Sequence, residues 1–134
     1  MKRRLINPPG TEMVYQAWHF SQAVRVGDTI HVSGQVGADE KGVAEGIEAQ
    51  ARVALSNLSR VLEAAGATLA DVVELTTFHV DMAEVMAFGK VKDEFFPKNY
   101  PAWTAVGTSG LVLPNLRVEV RATAVAGSAE VEGA

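Results

Sequence analysis

The apolar residues Ile47, Ala51, Ala54, Leu55, Leu58, Val61, Leu62 and Ala65 recur at steps of three and four, and this stripe constrains the fold more than anything else in the chain. Such spacing gathers them on one face of a helix, which has to be buried against another apolar surface. Gly66 follows at the position where helices stop in a left-handed turn. On both sides lie runs suited to strands. Before the helix, Ala23-Val24-Arg25-Val26 and Thr29 to Val36 flank the turn Gly27-Asp28 and predict a hairpin. After it, Asp71 to Asp81 alternates, with Thr76, Phe78 and Val80 on one side and Leu75, Thr77 and His79 on the other. A strand, a long helix and another strand predict a right-handed crossover.

The rest of the chain extends this unit. Val85 to Phe96 predicts a second helix with Val85, Phe88, Val91 or Lys92, and Phe95 on its apolar side, weakened at Gly89 and ended by Pro97. Ala102 to Thr108 and Leu116 to Val125 are the last strands, joined by a loop through Gly110 and Pro114. In the final strand Val118, Val120, Ala122 and Ala124 form an apolar side, and Arg117, Glu119, Arg121 and Thr123 a polar one. Asn7-Pro8-Pro9-Gly10 reads as a lead-in after which structure begins, Lys2-Arg3-Arg4 as a solvated terminus, and residues 127–134 as a frayed tail. The order β-β-α-β-α-β-β predicts an α+β fold with a single mixed sheet and two helices on one face. The other face is then either wet or covered by a partner.

With 134 residues the chain suits one domain, residues 1–134, and its 48% hydrophobic content excludes a disordered chain. Sixteen acidic against twelve basic side chains give a net charge of −4, which disfavours nucleic acid as a partner. There is no cysteine, so disulfides and thiolate chemistry are excluded. No apolar signal core and no 18-residue apolar run occurs, and the expected location is the cytoplasm, away from membranes. His19, His31 and His79 share no metal-binding spacing, and neither a metal nor an organic cofactor is expected. Ser33 and Ser109 lack a nucleophile-elbow pattern, and Gly27, Gly34 and Gly37 form no phosphate loop.

Three blocks carry a family resemblance. Phe20-Ser21-Gln22-Ala23-Val24 leads into Val32-Ser33-Gly34-Gln35-Val36; Ala49-Gln50-Ala51 leads through Leu58 to Glu63-Ala64-Ala65-Gly66; and Pro101-Ala102-Trp103-Thr104-Ala105-Val106 precedes Val118-Glu119-Val120. In this order they resemble the RidA/YjgF family, the reactive intermediate deaminases, also described as L-PSP endoribonuclease-like. The resemblance implies a chorismate-mutase-like fold, a homotrimer and small-molecule sites in clefts between subunits. It implies hydrolysis of 2-imino acids, with an arginine gripping the substrate carboxylate and a glutamate holding the attacking water.

Carried over residue by residue, the glutamate is Glu119, and Gly34 matches the glycine that closes on the ligand. The remaining pocket positions depart from the deaminase pattern. Phe20 stands for a tyrosine, Gly89 for an asparagine, Ala105 for a cysteine and Trp103 for the arginine itself. Two readings of Trp103 stand, a filler at a subunit contact or a platform on which a ligand stacks. Arg117 and Arg121 flank Glu119 two residues away on either side, so an extended strand puts all three on one face. One of these arginines is expected to pair with Glu119 or to reach into the cleft. The expected function is a hydrolase of a small imine or enamine that is not a standard 2-imino acid deaminase. The alternatives are a ligand-binding or regulatory homotrimer and, against the acidic balance, an endoribonuclease.

Overall fold

A computed structural model describes residues 1–133. In chain order its elements are β1 (Arg3–Ile6), α1 (Glu12–Trp18), β2 (Ala23–Val26), β3 (Thr29–Val36), the short strands β4 (Ala38–Asp39) and β5 (Gly42–Val43), α2 (Ile47–Ala64), β6 (Val72–His79), α3 (Val85–Phe95), β7 (Ala102–Gly107) and β8 (Val118–Val125). Six of the strands form one mixed sheet in the order β1-β2-β3-β8-β6-β7, and β4 pairs with β5 apart from it. Only β6 and β7 are parallel neighbours. Because β3 and β6 are each antiparallel to β8, they run parallel to one another, as a crossover through α2 requires. β8 is inserted between them.

The stripe on α2 closes the core. Ala51, Ala54, Leu55, Leu58 and Leu62 are fully buried against Ile30 and Val32 of β3 and against Val118, Val120 and Ala124 of β8. Each such leucine contributes about 1.5–3 kcal/mol of transfer free energy. Gly66 ends the helix at φ +85°, with its own N–H donating to Glu63 O and that of Ala67 to Leu62 O, the paired bonds of a Schellman stop. At the other end the buried Gln50 does the work of a cap. Its Nε2 donates to Ala44 O and Asn115 O, and its Oε1 accepts from the Arg117 N–H, tying the helix start to the approach to β8. α3 packs beside α2 on the same sheet face, burying Phe88, Val91 and also Lys92.

The amino-terminal reading needs correction. Structure begins before the Asn7–Gly10 lead-in, not after it: Arg3–Ile6 is an edge strand paired with β2, burying only Ile6 and leaving Arg3 and Arg4 solvated. Charged edge strands of this kind resist pairing with other chains. α1 was not expected either, and none of its residues is buried. Gly127 and Ser128, expected to open a frayed tail, donate their N–H groups to the buried Asp71 carboxylate at 3.1 Å. No helix among the described residues is long and apolar enough to cross a membrane.

Candidate functional site

Glu119 lies on the central strand β8, opposite Val36 of β3 and Phe78 of β6. Its neighbours Val118 and Val120 point into the core, so alternation sends Glu119 to the face away from α2. Its carboxyl group rests on Gly34, where β3 carries a register irregularity between Val32 and Gln35. A Cβ at Gly34 would collide with Oε2 and fall 2.6 Å from Cδ, so only glycine leaves room. The surrounding cleft has a volume of about 370 Å³ and is walled by Val14 and Trp18 of α1, Phe20, Val36 and Val112.

This wall is apolar, and it sets the carboxyl's chemistry. Among the described residues Glu119 has neither a hydrogen-bond partner nor an ion-pair partner. Burial pushes its pKa above the ordinary carboxylate value, and the charge of Arg121 only partly offsets this. Arg121 stands on the same face with its guanidinium 5.6 Å from the centre of the Phe78 ring. Of the two arginines flanking Glu119, one of which was expected to pair with it or to reach into the cleft, neither forms an ion pair with it among the described residues. Arg117 lies just before β8, and its Nε donates to both oxygens of Glu84 at 2.7 and 2.8 Å, which raises its pKa further.

Trp103, Ala105 and Gly89 form a second group on the opposite face of the sheet. The parallel register sets Trp103 beside Leu75 and Ala105 beside Thr77, and Leu75 and Thr77 both point under the helices. Trp103 therefore turns toward α3. Its indole N–H donates to Thr77 Oγ1 at 3.0 Å, and that oxygen is 2.7 Å from His79 Nε2. Phe88 lies 6.1 Å from the indole between ring centres, and the Lys92 ammonium sits 4.6 Å from the indole centroid. Gly89 faces the ring, and a Cβ there would make an ordinary 3.8 Å contact with Cη2. His79 is buried with its Nδ1 unpartnered, and burial lowers its pKa despite the opposing charge of Glu84.

A single chain thus unites Phe20, Gly34 and Glu119, with Arg121 on the same face, and separately unites Gly89, Trp103 and Ala105. It does not bring the two groups together. The sequence reading missed Val14, Trp18 and Val112 as cleft walls, because they come from an unforeseen helix and a loop without periodicity. Thr77 and Lys92 were placed on their buried sides by alternation and helical spacing, but nothing local tied them to Trp103.

Fold and site together define a class: α+β proteins with one mixed sheet, helices packed on one face and a carboxylic acid in an apolar cleft on the other. The family described as Endoribonuclease L-PSP matches residues 11–126, and the chain belongs to this family, the RidA/YjgF group. The Escherichia coli K12 protein called RutC family protein YjgH is 38% identical over 126 residues, spanning 90% of this chain and 94% of its own length. The human 2-iminobutanoate/2-iminopropanoate deaminase is 33% identical over 111 residues, 81% of this chain and 80% of its own. Among solved structures, a Mycobacterium tuberculosis member of the YjgF/YER057c/UK114 family superposes with a TM-score of 0.81 at 33% identity, covering 92% of this chain and 99% of that one.

Proposed function

We propose that this protein is a single-domain hydrolase of a small imine or enamine without a carboxylate to be gripped, acting in clefts between the subunits of a homotrimer. One subunit supplies Glu119, Phe20 and Gly34, and its neighbour supplies Trp103, Gly89 and Ala105. The observation that carries this reading is the Glu119 carboxyl group, unpartnered in an apolar cleft, raised in pKa and held over a glycine. A base that spends no hydrogen bond on the protein is free to bind water, and a pKa shifted toward neutrality suits proton transfer in both directions.

The proposed sequence uses that proton twice. Glu119 accepts a proton from water as the oxygen attacks the imine carbon; the C=N π pair moves to nitrogen, which takes up a proton from solvent, and a carbinolamine results. Glu119, now protonated, gives its proton to the nitrogen as the C–N bond breaks, releasing ammonia while the hydroxyl loses its proton to solvent and becomes the carbonyl. Trp103 supports a neutral substrate. Its only donor is spent on Thr77, so the ring offers a π surface where the deaminase pattern has a forked cation. The Lys92 charge nearby lies against the indole, with its side chain 8% exposed.

The test generates imines in situ, neutral ones with an amine oxidase and 2-imino acids with an amino acid oxidase, and follows their hydrolysis. Neutral imines should be hydrolysed faster with the protein present, with a rate that climbs with pH through the elevated Glu119 range, and Glu119→Gln should abolish the effect. Trp103→Arg should turn preference toward 2-imino acids. No acceleration at high protein concentration, or acceleration that survives Glu119→Gln, would overturn the proposal.

A further inference from the structure

Beneath Trp103 runs a polar chain in a part of the molecule otherwise filled by apolar groups. Alternation along β6 sends Thr77 and His79 to the core face, where both are fully buried. Trp103 stands on β7, at the edge of the sheet, and is 38% exposed. An indole so placed can leave its N–H in water. Instead the N–H turns inward to Thr77 Oγ1 at 3.0 Å, and the same oxygen is 2.7 Å from His79 Nε2. Burial lowers the pKa of His79 and so favours the neutral imidazole. With the ring proton on Nδ1, Nε2 accepts the Thr77 hydroxyl while the hydroxyl oxygen accepts the indole N–H, and only Nδ1 is left unmatched. Apolar side chains at 77 and 79 would fill this space without an orphaned nitrogen. The polar pair therefore contributes something other than stability.

Its contribution is orientation. A half-exposed tryptophan on an edge strand is free to change rotamer unless something holds it. Here Thr77 holds the N–H end, Phe88 leans on the ring at 39° with centres 6.1 Å apart, and the Lys92 ammonium lies 4.6 Å from the ring centroid. Lys92 is itself buried and closes the side of the ring it touches. We infer that Thr77 and His79 are positioning residues, which fix the Trp103 indole as a platform for a planar, neutral C=N group. His79 acts through Thr77 and touches no substrate. What stacks on the platform rests on the hydrolase reading above; what is held rests on the two hydrogen bonds.

Benzaldoxime, a neutral and planar compound whose C=N resists hydrolysis, allows binding to be measured by NMR without turnover, in full-length protein labelled at the indole nitrogens. In the wild type the Trp103 indole N–H should exchange with solvent at least about tenfold more slowly than that of Trp18, which is 66% exposed. Thr77→Val keeps the shape and removes the hydroxyl. It should erase the difference in exchange, weaken benzaldoxime about tenfold, and raise KM for a neutral imine by a similar factor with kcat within about twofold. Thr77→Ser should restore all three, and His79→Phe should lose part of each. Leu58→Ala, destabilised elsewhere in the core, should keep the wild-type exchange and affinity, which separates a held ring from general loosening. Wild-type exchange as fast as that of Trp18, unchanged benzaldoxime affinity in a folded Thr77→Val protein, or equal losses in Thr77→Ser and Thr77→Val would overturn the inference. If Thr77→Val does not fold, the wild-type exchange and the affinity of His79→Phe decide. A protected indole with Thr77-dependent binding but no imine hydrolysis removes the reaction and leaves the platform, and hydrolysis of neutral imines with an unprotected indole does the reverse.

Discussion

Gly34→Ala should disable the Glu119 cleft while leaving the fold nearly as stable as before. Gly34 does not occupy a positive φ, so alanine fits the backbone. The obstacle is the Glu119 side chain, whose Cδ would lie 2.6 Å from the new Cβ. An ordinary carbon contact is about 3.5 Å, so the carboxyl group has to withdraw by about 1 Å. A flexible side chain can do this by leaving its rotamer well at about 0.5–1.5 kcal/mol. The restricted unfolded chain returns about 0.4–1 kcal/mol, so the net change stays within about 1 kcal/mol. Catalysis has no such tolerance, since a misplacement of about 1 Å costs up to about a hundredfold in rate. Gly37→Ala is the control. Its Cβ would fall 2.6 Å from Gln50 Cγ and 2.7 Å from Gln50 Cα, and a helix backbone cannot swing aside. That variant should lose about 1–3 kcal/mol of stability. Urea unfolding, imine hydrolysis and a ¹³C titration of the Glu119 carboxyl separate the two, with the Gly34→Ala carboxyl titrating closer to its ordinary value as it moves outward. Wild-type hydrolysis and an unchanged Glu119 titration in Gly34→Ala would refute the reasoning, as would unfolding comparable to that of Gly37→Ala.

Two further outcomes follow from the core. Leu58→Ala removes a fully buried side chain from the centre of the α2 stripe and should cost about 2–5 kcal/mol, read as a lower urea midpoint with an unchanged slope. His79 has a depressed pKa in the folded chain, so its stabilising contribution is complete above the ordinary histidine value and is lost as pH falls through the folded one. Urea unfolding across that window should weaken toward acid in the wild type and show a shallower decline in His79→Phe.

The features legible in the sequence are those that burial writes as a period. The α2 stripe ran to Gly66 as expected, and the alternations of β6 and β8 sorted Leu75, Thr77 and His79 from Thr76 and Phe78, and Val118 and Val120 from Glu119. α1 left no such signature because it buries nothing, and β1 buries one residue out of four. The insertion of β8 between β3 and β6 is a pairing over long sequence distances, to which local pattern is blind. The same holds for the site. Which face Trp103 takes depends on its register beside Leu75, and a shift of one residue would have turned it toward the face of Glu119. Glu84 claims Arg117 from a turn after β6, beyond the strand spacing that linked Arg117 to Glu119.

The position of β8 also bears on how the chain is made. Every other strand of the six precedes it, yet the sheet is two disconnected parts until it arrives: β1, β2 and β3 on one side, β6 and β7 on the other. A nascent polypeptide emerging from the ribosome therefore carries α2 with its leucines only half covered until Val118 to Val125 are free to enter. Completion of the sheet is deferred until this last of its strands has emerged, and the interval before it is the chain's period of greatest exposure to aggregation and proteolysis.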